Sequence, residues 1–327
     1  MCIKEPFWSP AGALGFLLDW DGVIAETKLD FSGIREKYYG GRRAMLLEDA
    51  WTLAPDARRA MLKELMALEM AGAERALPVP GAFELLKWLN KNDIPYCILS
   101  RNCIDVIRRG AEVIGLELPP QTWGRDNMEW VKPDPRALLA AAAAIGAEPR
   151  RCVYVGDFLY DLQGARRAGM RAVLVQRDEP AWSCWADVTY PLMADLTAAL
   201  DAPVPLVPWE YREIFAKKGE RWLHNAASFT FAVPSDPSPT TDCWLTRAAS
   251  LGVGSFYVPP EKMFSPEDWK KNPSFDISAM GRKWAEVVKD FLAPRYPCAK
   301  VVTECEAPLN APKNSLDIMR FIERKKV

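Results

Sequence analysis

Residues 15–23 read GFLLDWDGV, and this stretch decides the fold. An apolar run ends in two aspartates, Asp19 and Asp21, and Gly22 follows them directly. A short apolar run with no helical period predicts a buried strand. Open α/β sheets build their active sites at the carboxyl ends of their strands, so the two carboxylates are expected at such an edge. One carboxylate of such a pair can act as a nucleophile while the other moves protons.

Size and composition indicate an ordinary globular protein with two domains. The chain has 327 residues, of which 49% are hydrophobic and 26% are charged, and its net charge is -1. That charge provides no general attraction for nucleic acid, so no nucleic-acid partner is expected. No stretch reaches the ~18 consecutive apolar residues of a transmembrane helix. The first residues also lack the apolar region of a signal peptide. We therefore expect no membrane contact and a cytoplasmic location.

The cysteines and the single histidine exclude several kinds of site. None of the eight cysteines belongs to a Cys-x-x-Cys pair, so reduced thiols are expected rather than a disulfide framework or a zinc site. His224 is the only histidine, and one imidazole cannot build a multi-histidine metal centre. We interpret His224 as a packed or surface side chain.

Strands alternate with helices through the first two thirds of the chain. Strands are expected at residues 12–19, 95–100, 121–123, 152–155 and 172–176, and helices at 82–89, 104–114, 136–145 and 162–168. This alternation predicts an α/β fold with a doubly wound, Rossmann-like parallel sheet. Between about residues 26 and 80 the apolar residues recur at helical spacing, which predicts a small helical cap over the carboxyl edge of the sheet.

A proline-rich segment separates the last third of the chain. Three prolines fall within residues 203–208, which is typical of an extended linker, so we expect one domain at 1–202 and another at 203–327. The second is predicted to be a C-terminal α+β domain, with strands near 228–233, 255–258 and 299–304. No motif there indicates a function. The sequence leaves open whether this domain forms a homodimer, binds a protein partner or shapes the active site.

Two later segments place phosphate-binding chemistry near the carboxylate pair. Ser100 ends a predicted strand and is followed by Arg101-Asn102, and a hydroxyl beside backbone amides suits a phosphate oxygen. Ser100 could instead cap the helix that follows. Lys132 precedes Pro133-Asp134-Pro135, and a lysine in a rigid proline loop can neutralise a phosphoryl group or an aspartate. Most lysines, however, are simply solvated.

A third segment adds carboxylates that suit a metal ion. Asp157 follows Gly156 at the end of a predicted strand, and Asp161 comes four residues later. Such hard oxygen ligands suit Mg2+, although Asp157 could also cap the next helix. The first carboxylate pair could by itself form a turn. A calcium loop is disfavoured there because residues 23–25 offer no alternate oxygen ligands.

The order of these segments resembles the haloacid dehalogenase-like (HAD) hydrolase superfamily. The residues that carry the resemblance are Asp19-Trp20-Asp21-Gly22-Val23, Ser100, Lys132 and residues 156–161, and it covers about residues 12–200. The cap lies between the first motif and Ser100, which is its position in the phosphoglycolate phosphatase and β-phosphoglucomutase-like branch.

The resemblance implies a Mg2+-dependent phosphatase that acts on a small phosphorylated metabolite through an aspartyl-phosphate. Asp19 would be the nucleophile, and Asp21 would protonate the leaving oxygen and then activate water. Dehalogenation is disfavoured because family dehalogenases lack the acid/base aspartate. A β-phosphoglucomutase-like phosphotransferase and a non-enzymatic partner-binding module are the alternatives.

The resemblance also implies which residues bind. The phosphoryl group would be held by Ser100, Arg101, Asn102 and Lys132. The Mg2+ ligands would be Asp19, the backbone carbonyl of Asp21, and Asp157, with Asp161 in support.

Overall fold

The structure is a computed structural model that describes residues 3–182, 184–304 and 315–324. Its strands are β1 Gly15–Leu18, β2 Ala25–Glu26, β3 Leu77–Pro78, β4 Tyr96–Leu99, β5 Thr122–Trp123, β6 Cys152–Gly156, β7 Arg171–Val175, β8 Val188–Tyr190, β9 Thr230–Ala232, β10 Ser255–Tyr257 and β11 Lys300–Val302. Its α-helices are α1 Ser32–Tyr39, α2 Leu46–Asp49, α3 Pro55–Ala73, α4 Ala82–Lys91, α5 Ile104–Ile114, α6 Pro135–Ala144, α7 Leu159–Arg167, α8 Met193–Asp201, α9 Arg212–Ala227, α10 Thr241–Ser250, α11 Pro266–Lys271, α12 Trp284–Leu292 and α13 Ser315–Arg324.

The large sheet has six parallel strands in the order β5-β4-β1-β6-β7-β8. This confirms the predicted doubly wound α/β fold. Strand β1 lies between β4 and β6, and its Leu17 is in register with Cys97 on one side and Tyr154 on the other. The order along the sheet reverses direction at β1, and such a switch point opens a crevice at the carboxyl edge.

Helices cover both faces of this sheet, and the alternation of side chains along β1 shows how. Phe16 and Leu18 pack in one apolar core with residues of α4, α5 and α8. Leu17, which points the other way, packs with residues of α6 and α7. A strand buried on both faces reads as a continuous apolar run, which is why residues 15–18 show no polar alternation. Each leucine buried in this way contributes about 1.5–3 kcal/mol.

The cap consists of α1, α2 and α3. It leaves the sheet through β2 and returns through β3, and these two short strands pair antiparallel with Ala25 opposite Pro78. The cap has a small apolar core of its own, formed by Ile34, Ala44, Leu46, Ala50, Met61 and Leu65. Glu69 on α3 ties the cap to the sheet through a two-point ion pair with Arg125, both at 2.8 Å.

The C-terminal region contains the expected additional helices and a small sheet. Strands β9, β10 and β11 lie in the order β11-β10-β9 and pair in parallel, around a separate apolar core that includes Phe231 and Phe256. The domain boundary after residue 202 stays a prediction. None of the helices within the described ranges combines the length and the apolarity needed to cross a membrane.

A buried charge network joins this region to the large sheet. Arg171, the first residue of β7, lies 3.1 Å from Asp187 and 2.7 Å from Glu210, and all three side chains are buried. Trp8, which precedes β1, pairs with Leu206 in the linker. These contacts lie at the amino edge of the large sheet, on the side opposite the carboxylate pair.

Candidate active site

The predicted site residues come together because three of them follow neighbouring strands. Asp19 follows β1, Ser100 follows β4 and Asp157 follows β6, and these strands are adjacent in the sheet. All three side chains are buried. Lys132 reaches the same edge from the loop between β5 and α6.

Lys132 is the centre of the arrangement. Its Nζ lies 2.8 Å from Asp19 Oδ1 and 2.7 Å from Asp161 Oδ1, and it donates to the Tyr154 hydroxyl at 2.6 Å. Burial alone would lower the pKa of Lys132, but the charges of Asp161 and Asp19 outweigh it, so the pKa lies above its usual value. The ammonium therefore stays charged beside Asp19. Tyr154 completes the cluster by donating to the Leu99 carbonyl at 2.8 Å.

Three carboxylates form a group that fits a divalent metal ion. Asp19, Asp157 and Asp161 each offer an oxygen, and these oxygens lie within 4.8 Å of one another. Burial, and then the charge of Asp19, raise the pKa of Asp157 to about 6 and that of Asp161 above its usual range. Crowded like charges favour protonation unless a cation is present. Hard carboxylate oxygens at this spacing suit Mg2+ or a similar ion.

Asp21 lies apart from that group and is held by two side chains. The Thr27 hydroxyl and the Asn102 amide each donate to its carboxylate at 2.5 Å. Burial raises the pKa of Asp21 to about 7, although these two hydrogen bonds lower it. A carboxyl group with a pKa near neutrality can both give and take a proton at neutral pH.

Two glycines allow the carboxylates to approach the backbone closely. Gly22 has φ +70°, and a Cβ there would lie 2.3 Å from Asp157 Oδ2. A Cβ on Gly156 would lie 2.3 Å from the Cβ of Asp161. A side chain at either position would displace a carboxylate of the group.

The structure contradicts the two helix-cap interpretations. Helix α5 begins at Ile104 with Cys103 at its N-cap, so Ser100 does not cap it. Helix α7 has Phe158 at its N-cap, so Asp157 does not cap it either. The side chains of Ser100 and Asp157 are therefore not committed to either helix start.

Arg101 and Asn102 use their side chains for contacts within the protein. Arg101 donates to the Lys132 carbonyl, pairs with Glu48 of the cap at 2.6 Å and stacks over the Tyr160 ring at 4.6 Å. Asn102 holds Asp21. A phosphate role for these two residues would therefore use their backbone amides.

Sequence reasoning missed three partners of the site. Thr27 contacts Asp21, and Tyr154 contacts Lys132. Arg177, which follows β7, lies 2.8 Å from Asp157 Oδ2 and is half exposed. The sequence could have indicated Tyr154, because its hydroxyl lies inside the otherwise apolar run of β6. Arg177 belongs to none of the four motifs, so the sequence contains no comparable signal for it.

Comparison with known proteins identifies the family. The model of the haloacid dehalogenase-like hydrolase family matches residues 14–169. The phosphoglycolate phosphatase of Caulobacter vibrioides is 30% identical over 198 residues, which cover 58% of this chain and 82% of that protein. The chain belongs to the haloacid dehalogenase-like hydrolase family. The resemblance drawn from the four motifs is thereby confirmed.

Other relatives of this haloacid dehalogenase-like hydrolase match shorter parts or show the fold alone. Hexitol phosphatase A of Escherichia coli is 31% identical over 108 residues, which cover 33% of this chain and 50% of that protein. A hydrolase from Pseudomonas syringae has a TM-score of 0.50 at 22% identity, covering 58% of this chain and 99% of its own. The range matched by the family model contains Asp19 through Asp161, whereas Arg177 and the C-terminal region lie outside it.

Proposed function

We propose that this hydrolase is a Mg2+-dependent phosphatase that hydrolyses a small phosphomonoester metabolite through an aspartyl-phosphate. The observation that carries the proposal is the buried ammonium of Lys132, 2.8 Å from Asp19 and 2.7 Å from Asp161. Relatives named phosphoglycolate phosphatase and hexitol phosphatase A support the reaction class. The cytoplasmic location remains a prediction from the sequence.

Asp19 is the nucleophile in this proposal. Its carboxylate oxygen forms a bond to phosphorus while the bond from phosphorus to the leaving alkoxide oxygen breaks. An anionic nucleophile and an anionic phosphate repel each other, and Lys132 offsets that repulsion because it stays charged beside Asp19. The Ser100 hydroxyl and the backbone amides of Arg101 and Asn102 would hold phosphoryl oxygens.

Asp21 carries the proton in both half-reactions. In the first, its protonated carboxyl gives a proton to the leaving oxygen. In the second, the resulting carboxylate takes a proton from the water that attacks the phosphorus, which releases phosphate and restores Asp19. A pKa of about 7 makes both protonation states accessible at neutral pH. Thr27 and Asn102 keep the carboxyl group in place.

The metal ligands in this proposal are Asp19, Asp157 and the backbone carbonyl of Asp21, with Asp161 in support. The three carboxylates fit the ion because their burial and mutual repulsion are relieved by a cation. When bound, Mg2+ supplies positive charge that orients the phosphoryl oxygens and further offsets their repulsion of Asp19.

Phosphate release from a panel of phosphomonoesters tests the proposal. The wild-type protein with Mg2+ should release phosphate steadily from at least one compound, and Asp19→Asn should abolish release. Asp105→Asn, which changes an exposed acid on α5, is the matched control and should remain active. Failure of the wild type on every compound, or full activity in Asp19→Asn, would contradict the proposal. An isomerised sugar phosphate in place of free phosphate would identify a phosphotransferase instead.

A further inference from the structure

Arg101 connects three segments that surround the site. Its Nη2 lies 2.6 Å from Glu48 Oε1, on helix α2 of the cap. Its Nη1 donates to the carbonyl oxygen of Lys132. Its guanidinium carbon lies 4.6 Å from the centre of the Tyr160 ring, in the segment between Asp157 and Asp161. One side chain thus contacts the cap, the lysine loop and the segment that carries the metal-binding carboxylates.

The chemistry of arginine explains how one residue makes these contacts. The planar guanidinium has five donors in fixed directions and stacks on aromatic rings. A lysine at this position would have a single ammonium on a flexible stem, which cannot bridge Glu48 and the Lys132 carbonyl while also stacking on Tyr160.

Besides apolar packing between α3 and α5, two ion pairs of different character join the cap to the rest of the protein. Glu69 and Arg125 form a buried pair, with side chains only 5% and 13% exposed. Glu48 and Arg101 are 44% and 21% exposed. The first pair is a lasting attachment, because separating it would leave two buried charges without partners. The second can open at little cost, since a solvent-exposed pair contributes at most about 1 kcal/mol.

We propose that Arg101 is a positioning residue that couples closure of the cap to placement of Lys132. The pair with Glu48 holds α2 over the site, and the hydrogen bond to the Lys132 carbonyl keeps the lysine loop in its working position. When the pair opens, the cap core that contains α2 moves away from the sheet, while Glu69 keeps the C-terminal end of α3 attached. A cap that must admit substrate and release product needs such a weak, reversible contact. The kinetic consequence rests on the proposed phosphatase function, whereas the structural one does not.

Hydrogen exchange on the full-length, metal-free protein tests the structural part. Glu48→Gln should raise the exchange of amides in residues 46–52 by about two- to five-fold, the range that an exposed ion pair allows. Glu64→Gln is the matched control, because it removes an ion pair that lies wholly within the cap, between Glu64 and Lys37 at 2.5 Å. That variant should leave exchange in residues 46–52 unchanged.

Arg101 and Glu48 should also act as one unit. In an Arg101→Lys background, Glu48→Gln should add little to the exchange rate, since the bridging geometry is already lost. Unchanged exchange in Glu48→Gln, an equal rise in Glu64→Gln, or fully additive effects of the two substitutions would overturn the proposal.

Turnover of p-nitrophenyl phosphate tests the kinetic part. Glu48→Gln should raise KM more than it lowers kcat, because it weakens closure only. Arg101→Lys should lower kcat as well, because the Lys132 carbonyl loses its donor. Identical changes in both variants would overturn the coupling to Lys132. Absence of turnover in the wild type would contradict the proposed function, while the exchange comparison would still decide whether the contact holds the cap.

Discussion

Lys132 shows how a buried charge can be stabilised beside a proposed nucleophile. Its ammonium is removed from water, and such a burial is tolerated only where opposite charges and hydrogen bonds replace the solvent. Asp19, Asp161 and Tyr154 provide those partners at 2.6–2.8 Å. The same contacts aim the charge at the proposed nucleophile, so we expect both the stability and the proposed activity to depend on Lys132.

Substitution of Lys132 by methionine should therefore affect both properties. Lys132→Met leaves Asp19 and Asp161 as buried like charges, which should lower the free energy of unfolding by about 3 kcal/mol in the absence of metal. Phosphatase turnover should fall about a hundred- to thousand-fold, as on loss of a group that stabilises transition-state charge. Urea unfolding and phosphate release measure the two effects. Lys91→Met, at an exposed position of α4, should change neither, and a stable, active Lys132→Met protein would refute the assignment.

Asp21 should impose a pH dependence on the stability of the metal-free protein. The unfolded carboxyl loses its proton near 3.8, whereas the folded one keeps it until about 7. Between these values the folded state binds more protons than the unfolded state, so the contribution of Asp21 to stability falls as the pH rises. Asp21→Asn lacks this titration. Its stability relative to the wild type should grow from about pH 4 to pH 7 and then stay constant.

Urea unfolding in EDTA across that pH range measures the difference between the two proteins. Any hydrogen bond that asparagine cannot reproduce with Asn102 shifts the whole curve and leaves its slope unaffected. Parallel curves for Asp21→Asn and the wild type would show that Asp21 titrates as it does in the unfolded chain, which would remove the basis for its acid/base role.

Among the elements, those with a strong local signal could be predicted from the sequence and the others could not. Helix α5 has the expected bounds, 104–114, because its apolar face repeats cleanly and Gly115 ends it. Strand β8, at 188–190, was missed because its residues are only half buried at the edge of the sheet. The sequence also predicts a helix over residues 278–292, whereas α12 begins only at Trp284. A short 3-10 turn over Ile277–Ala279 takes up the start of that range.

The same distinction holds for the site. Asp19, Ser100 and Asp157 were predictable because each follows a strand, and parallel strands bring their ends to one edge. The contacts of Arg177 with Asp157 and of Arg101 with Glu48 are made between distant segments. A single sequence without its fold carries no local pattern for such pairs, since their distances depend on how the loops and the cap pack.

The turn after β1 can be tested through Gly22. Gly22→Ala must hold φ +70° and would place its Cβ 2.3 Å from Asp157 Oδ2. Gly115→Ala is the matched control, because that residue has φ +71° but no heavy atom within 4 Å of the added Cβ. Both variants should lose stability from the backbone strain, about 1–3 kcal/mol. Only Gly22→Ala should lose binding of Mn2+, measured by electron paramagnetic resonance. Equal Mn2+ binding in the two variants would contradict the proposed metal ligands.

For the whole molecule, the position of the C-terminal region narrows its role. Arg171 begins β7 and Asp187 precedes β8, so the charge network that attaches this region lies at the amino edge of the large sheet. The proposed active site lies at the carboxyl edge. Of the three roles left open by the sequence, shaping the active site is therefore the one that these contacts support least. Pairing with a second copy or with another protein stays a prediction.

Glu210→Gln separates attachment from catalysis. Glu210 makes two contacts with Arg171, at 2.7 and 3.0 Å, and both side chains are buried. The substitution leaves the buried Arg171 with Asp187 as its remaining carboxylate in this network, which should lower the free energy of unfolding by about 3 kcal/mol. Because the change is made at the amino edge, kcat and KM should match those of the wild type at temperatures where the variant is folded.

Glu213→Gln is the control, since Glu213 is exposed and lies 3.9 Å from Lys217; it should leave stability unchanged. Thermal unfolding and phosphate release, measured on the same samples, show whether Glu210→Gln changes stability, activity or both. If Glu210→Gln loses activity while still folded, the C-terminal region influences the proposed active site from the opposite edge of the sheet. The expectation that attachment and catalysis are independent would then be wrong. If its stability is unchanged, the buried network is not what attaches the C-terminal region. Contacts such as the pairing of Trp8 with Leu206 must then hold it.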